Sequence, residues 1–388
     1  MTKWQEHLLE DVVEKFIDYR GKTPVKTSYG VPLVTAKIVK NGKILKPTEF
    51  ISEAEYPIWM RRGYPKINDV VLTTEAPLGE VGILKIEKIA LAQRIILIRG
   101  KKNLLHNHFL KFYLQSPLGQ ETLRARASGS TVSGIKAAEL KRIPIPVPCY
   151  AEQRAIASVL SNLDDKIDLL HRQNATLEAM AEALFIELFI NNAGNSEIES
   201  ITKYINFNPC YSLKKGEAAQ FLEMSNLNTN SFHPSAVTQK NFSSGMKFMN
   251  KDTLLARITP CLENGKACYV TFLAKNEVGW GSTEYIVMRP IAKLHPLFAY
   301  CLAKSEDFRG YAENCLQGSS GRQRVDLHHL QQYQINFVTN EKLEKFNALA
   351  EMIEPKLHNN YIQIQTLEKL RDTLLPKLMS GEVRVSLG

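Results

Sequence analysis

The side chains of this 388-residue chain best suited to chemistry are cations, hydroxyls and one carboxylate in loop-like stretches. Groups of these types hydrogen-bond the phosphates and base edges of nucleic acids. In the first half the candidates are Arg20, Lys22, Thr23, Lys37, Thr74, Arg94, Ser130, Thr131 and Lys136. In the second half they are Lys214, Lys215, Arg257, Glu284, Ser319, Arg322 and Arg324. Arg94 and Glu284 stand 190 residues apart, at matched places in a long repeat. An arginine fork fits guanine, whereas a carboxylate accepts from the cytosine amino group, so the two would read different bases. Ser128-Gly-Ser-Thr131 and Gly318-Ser-Ser-Gly321 are turn-formers whose hydroxyls also suit phosphate contact. No Walker loop, paired-carboxylate cleft or Ser/His/Asp spacing stands out. The six cysteines form no CxxC pair and have no histidine at zinc spacing. Neither a catalytic residue nor a metal site is expected.

The elements that must position these residues occur twice. Ile156, Leu160, Leu163, Ile167, Leu170, Asn174, Leu177, Ala181, Leu184 and Leu188 alternate steps of four and three. Phe346, Ala350, Ile353, Leu357, Asn360, Ile364, Leu367, Arg371, Leu374 and Leu378 repeat them 190 residues later. A strict four-three seam of this length is the signature of a coiled coil. Ile95–Arg99 matches Tyr285–Arg289 at the same offset, and Asp69, Pro77 and Gly82 match Asp252, Pro260 and Gly265 at an offset of 183. Side chains between the matched positions differ widely, as expected of one scaffold presenting two surfaces.

The expected fold is therefore α+β, with a pseudo-two-fold internal repeat. Two mixed α/β domains, 1–150 and 191–340, are each followed by a long helix, 151–190 and 341–388. In the first copy Leu8–Ile17 is a short amphipathic stretch, and Val31–Val34, Asp69–Thr73, Val81–Ile86 and Ala90–Ile98 predict strands. His108–Leu114 and Pro117–Ala127 predict helices, and the proline-rich Ile143–Pro148 suits a sheet edge. The first long helix would extend about 58 Å at 1.5 Å per residue.

Charge is unevenly divided. Residues 1–150 carry 24 Lys and Arg against 14 Asp and Glu, whereas 151–190 carry 3 against 7. Residues 191–340 carry 15 against 12, and 341–388 carry 7 of each. Basic globular copies on non-basic helices suit a phosphate backbone as partner. No apolar run approaches the ~20 residues needed to span a bilayer. The polar Met1–Glu10 and the scattered cysteines point to a cytoplasmic chain with reduced thiols.

The seam also predicts how the helices pair. Asparagine in a helix–helix core is tolerable opposite another polar group and costly opposite an apolar one. Parallel pairing would set Asn174 against Ile364 and Leu170 against Asn360. Antiparallel pairing sets Asn174 against Asn360, Ala181 against Ile353 and Leu184 against Ala350, and leaves only Arg371 ill-matched, opposite Leu163. The antiparallel arrangement is expected, with the stem of Arg371 snorkelling. It would place the two copies about an approximate dyad, a spacing device suited to a duplex read at two half-sites. Pro355 should kink the second helix.

Ile143-Pro-Ile-Pro-Val-Pro148, Glu152-Gln153, the helix running on through Asp168, and Leu367–Val383 together resemble the specificity subunits of type I restriction–modification systems. One departure is Asn340-Glu341-Lys342, where the family-like pattern has Glu-Gln. The resemblance implies two target-recognition domains that read a bipartite double-stranded DNA target. It implies docking of two modification subunits that methylate adenine with S-adenosylmethionine, and of restriction subunits that translocate DNA with ATP and Mg. It further implies that the chain catalyses nothing and holds no cofactor itself.

Two rival readings have sequence support. Asn208-Pro209-Cys210-Tyr211 resembles the Asn-Pro-Pro-Tyr motif of adenine methyltransferases, in which the asparagine and a proline carbonyl hold the adenine amino group. No glycine-rich cofactor loop accompanies it. A coiled-coil adaptor that binds only proteins is the other, and the excess of ten positive charges on residues 1–150 argues against it.

Overall fold

The computed structural model describes residues 4–19, 23–129, 132–191, 197–229, 231–291, 293–319 and 321–385. The chain divides into two compact units, residues 1–166 with 366–388, and residues 167–365. Each is built on a four-stranded antiparallel sheet of the same order. In the first unit the order is Val13–Asp18, Ile95–Gly100, Val70–Thr74, Leu78–Ile83. In the second it is Ile205–Phe207, Tyr285–Pro290, Thr253–Ala256, Ala267–Tyr269.

Ile95–Gly100, Val70–Thr74, Tyr285–Pro290 and Thr253–Ala256 form the middle strands because both of their faces are apolar. Along Ile95–Gly100, Ile96 and Ile98 enter a core with the helices, while Ile95 and Leu97 enter a second core on the opposite face. Ile286 and Met288 alternate with Tyr285 and Val287 in the same way. A period of two with burial on both sides is what a strand between two layers requires.

One layer is helical. Asn107–Gln115 and Pro117–Ala125 cover the first sheet, and Leu297–Lys304 and Glu306–Asn314 cover the second. Ser116 and Ser305 cap the second helix of each pair, accepting from Gly119 N and Phe308 N. The other layer is a small mixed sheet in which Val31–Val34 runs parallel to Ala90–Leu91, and Ala218–Leu222 parallel to Gly279–Gly281. The expected strand Ala90–Ile98 is two strands, broken where Arg94 adopts a left-handed φ of 71°. Leu8–Ile17 is a strand end, a helical turn and a second strand. The proline-bearing Pro144–Val147 is half of a two-stranded ribbon with Gln5–Leu8, as Ile198–Ser200 is with Gln334–Asn336.

A buried aspartate held by an arginine braces each sheet. Arg99 Nε and Nη2 donate to the two oxygens of Asp69 at 2.7 and 2.6 Å, and Lys66 N also donates to Asp69. Arg289 Nε donates to Asp252 at 2.5 Å, with Met249 N as its backbone donor. The matched pairs of the repeat thus meet across the sheet.

The long helices span Tyr150–Phe185, continued by a π-helical turn Ile186–Ile190, and Asn340–Ser380. The second is an unbroken helical span through Pro355. In both units the segments of these helices pair antiparallel. In the second unit Asn360 Nδ2 donates to Asn174 Oδ1 at 2.8 Å, and Phe346 meets Phe185 edge-on at 6.2 Å. In the first, Arg371 Nη1 donates to Asp164 Oδ1 at 3.2 Å. Arg371 is therefore a partner of Asp164, which also receives Lys111 Nζ at 2.7 Å, and is not a snorkelling mismatch.

The Glu-Gln pair joins domain to helix. Gln153, fully buried, accepts His106 N at 2.8 Å and donates to Leu104 O and Pro148 O. Glu152 accepts Arg384 Nη1 at 3.0 Å. The second copy lacks Glu-Gln, yet Asn347 accepts His295 N at 2.8 Å and donates to Lys293 O at 2.9 Å. The same amide clamp is made one helical turn further on.

The asparagine pair yields a test. Asn360→Leu leaves the half-buried Asn174 amide facing an apolar side chain and should destabilise by about 1–3 kcal/mol. Replacing both asparagines with leucine should be close to neutral. Urea denaturation of the single and double variants measures the difference.

Candidate nucleic-acid interface

One backbone junction recurs where each central sheet meets its loops. In the first unit Thr74 N donates to Arg94 O at 2.8 Å, and Ile135 N donates to Thr74 O at 2.9 Å. In the second, Arg257 N donates to Glu284 O at 3.0 Å, and Val325 N to Arg257 O at 2.8 Å. Isolated bridges Glu75–Gly134 and Ile258–Arg324 extend both. Three loops are thereby drawn together in each unit by main-chain bonds that place no demand on side-chain type.

The side chains on this junction differ. Arg94 Nε lies 3.1 Å from Glu75 Oε1, with the arginine side chain 52% exposed. In the second unit the acid stands at the matched position of Arg94, and its base comes from the third loop, at the position matched to Gly134. Glu284 occupies the position of Arg94, and Arg324 Nε reaches both of its oxygens at 2.9 Å. The Arg324 side chain is 50% exposed. Hydrogen bonding to Glu284 raises the Arg324 pKa further. Both ion pairs are open to water, so an incoming phosphate or base edge can compete for the arginine.

The structure gathers Thr74, Arg94 and Lys136 at the first junction, and Arg257, Glu284 and Arg324 at the second. Ser319 and Arg322 sit in the loop closed by the ribbon Leu316–Gln317 with Arg324–Val325, where Arg322 N donates to Ser319 O at 3.2 Å. Arg257 is half-buried, and its Nε has no hydrogen-bond partner among the described residues. Thr74 needs correction as a side-chain contact. It ends a wholly buried strand and is 3% exposed, so it serves the junction through its backbone alone. Thr23 and Lys37 are exposed on separate segments, and Lys214 and Lys215 lie in the turn before Ala218–Leu222. Arg20, Lys22, Ser130 and Thr131 lie outside the described residues. Glu75 was missed, since nothing in a lone glutamate marks it as the partner of a residue across a turn.

The methyltransferase-like motif has structural work. Asn208 Oδ1 accepts Val287 N at 2.8 Å, capping the end of the central strand pairing. The Tyr211 hydroxyl donates to Asp252 at 3.1 Å, and its ring lies under Arg289 at 5.3 Å. Burial and the Asp252 charge push the Tyr211 hydroxyl well above its usual range. The Asn208 amide is thus bonded to the central strand and the Tyr211 hydroxyl to the Asp–Arg brace.

Residues 1–179 match the type I restriction modification DNA specificity domain family. Over 98% of its length the chain is 25% identical to the type I restriction enzyme MjaIX specificity subunit of Methanocaldococcus jannaschii, covering 94% of that protein. It is 31% identical to the EcoEI specificity subunit of Escherichia coli, over 35% of this chain and 23% of that one. The crystal structure of a type I restriction–modification S subunit from M. genitalium shares the fold, with a TM-score of 0.62 at 16% identity over 99% of this chain and 97% of that one. The resemblance to type I specificity subunits seen in the residues is borne out. Among the described residues no helix is long and apolar enough to cross a membrane.

The two kinds of ion pair differ in burial, and the difference is measurable. Arg99→Met strands Asp69, whose side chain is 1% exposed, and should cost about 3–5 kcal/mol. Glu284→Ala breaks a solvent-exposed pair and should cost under about 1 kcal/mol. Thermal denaturation of the two variants checks the contrast.

Proposed function

We propose that the chain is the DNA-sequence-recognition subunit of a type I restriction–modification assembly. Each unit reads one half of a bipartite duplex target, and the long helices carry the docking sites for modification subunits. Two such subunits, and restriction subunits where present, supply the chemistry. S-adenosylmethionine, ATP and Mg are bound by those partners, and the chain itself is not an enzyme. The family match of residues 1–179 supports this reading, as does the similarity to a specificity subunit over 98% of the chain.

The observation that carries it is the repeated junction. The same main-chain bonds present an Arg–Glu pair in one unit and a Glu–Arg pair of different origin in the other. A reader of two different half-sites needs that combination, because the scaffold holds loops in place while side chains choose bases. Arg94 suits guanine and Glu284 suits cytosine.

Two outcomes are expected. The purified chain with S-adenosylmethionine should transfer no methyl group to DNA, and should confer sequence-specific adenine methylation when combined with a modification subunit. Methyl transfer by the isolated chain would overturn the assignment. Glu284→Gln should relax preference at one base of one half-site by about 1–3 kcal/mol and leave the other half-site unchanged. Sequencing of methylated sites in cells carrying the variant reads both.

A further inference from the structure

The second unit carries a sheet face that neither the junction nor the core uses. Its strands lie in the order Thr238–Asn241, Ala218–Leu222, Gly279–Gly281, Met246–Phe248. Leu222 and Phe248 point inward to the core with Leu254 and Val287. By alternation the opposite face carries Lys240 paired with Ala219, Phe221 paired with both Thr238 and Trp280, and Lys247 paired with Trp280.

On that face the aromatic rings are a floor for cations. The Lys240 ammonium lies 4.2 Å from the Phe221 ring centre, and Lys247 lies 4.9 Å from Phe242. Trp280 packs against both rings, at 4.3 and 5.4 Å, and its indole N–H donates to Lys240 O. Cation–π contact of this kind orders an ammonium without neutralising it. All four residues of the edge strand Thr238-Gln-Lys-Asn241 are exposed. Lys214 and Lys215 join the patch, because Gly216 N donates to Phe242 O at 2.8 Å and Phe242 N to Glu217 O at 2.7 Å. Glu223, exposed beside Lys240 at 2.6 Å, and the exposed Glu217, which accepts Lys214 N, are the carboxylates of the patch.

We propose that this face grips the phosphate backbone of duplex DNA flanking the bases read at the Arg257–Glu284 junction. The proposal rests on the DNA-recognition reading and extends it to a surface outside the loops. The strand Gly279–Gly281 runs into Glu284 three residues later, which sets the patch next to that junction in the chain. Trp280 is 5% exposed, so the face offers lysine heads and amides and not the open apolar anchor of a protein-binding site. Ammonium groups on and beside an exposed polar edge strand are chemistry for a repeating phosphodiester, which they bind without regard to sequence.

The test titrates the full chain with a random-sequence duplex over a range of salt. Lys240→Gln with Lys247→Gln should weaken binding and flatten the dependence of log K on log salt by about 2, near 0.9 for each lost phosphate contact. Lys240→Arg with Lys247→Arg should restore the slope, which separates loss of charge from loss of fold. Glu223→Gln should strengthen binding, and Lys356→Gln, an exposed lysine on the second long helix, should leave the slope unchanged. A wild-type slope in the double glutamine variant overturns the proposal and leaves the DNA reading standing. The same is true if that variant loses only its binding to polyglutamate, which would mark the face as one for an acidic protein. No salt-sensitive duplex binding by the wild-type chain would instead overturn the DNA reading itself.

Discussion

The antiparallel seam of the two long helices is the constraint on which the globular parts depend. Apolar heptads drive two helices together but discriminate weakly between directions. The bond between Asn360 and Asn174 supplies that discrimination, because only one direction brings the two amides together. Acids on the paired helices then become anchors for the globular parts. Asp164 receives Lys111, Glu178 receives the Tyr300 hydroxyl and Phe232 N, and Glu354 receives the Tyr269 hydroxyl and His295. Burial pushes the Glu178 carboxyl up, and the tyrosine and the backbone donor only partly oppose it. Burial also acts on Glu354, but there His295 and Tyr269 win and hold it below the usual range.

Upon this frame the units separate what must be constant from what must vary. Main-chain hydrogen bonds at the junction, the Asp–Arg brace and the amide clamp recur in both copies. The clamp shows that geometry is retained even where residues are not. Gln153 and Asn347 occupy unmatched positions, yet each accepts a histidine N–H and donates to the carbonyl two residues before it. A shorter side chain one turn along the helix reaches the same two groups. Side chains on the junction are free of such duties, and there the copies diverge into opposite charge.

Much of the fold was legible because it rests on short-range pattern. The seam, the central strands and the helices of the first copy follow from periodicity, and the asparagine pairing followed from a choice between two registers. The candidate site was legible only in part. Arg94, Glu284 and Arg324 were found by residue type and by the repeat offset, but their partners were not. Glu75 and Gly134 approach through a bridge between segments nearly 60 residues apart, which no local pattern reports. Thr74 has the right chemistry for a DNA contact, yet the strand it ends is covered on both faces. The motif at Asn208–Tyr211 was legible as chemistry and is used as architecture, because Asp252 and Val287 reach its polar groups first.

Sequence alone determined the duplicated scaffold, the helical seam and its direction, since periodicity and the cost of an unpaired amide act between a few known positions. Tertiary structure decided which charges face each other and which face water. That outcome turns on loop closures and strand pairings between residues far apart in the chain. A turn at Arg94 with left-handed φ, a ribbon closing at Arg324 and an edge strand carrying Lys240 each place a charge that composition could count but not locate. Matching of Asp69 with Asp252 and of Arg99 with Arg289 was visible in the repeat. Their meeting as braces within each sheet required the fold, because register between strands is set by the packing of both sheet faces at once.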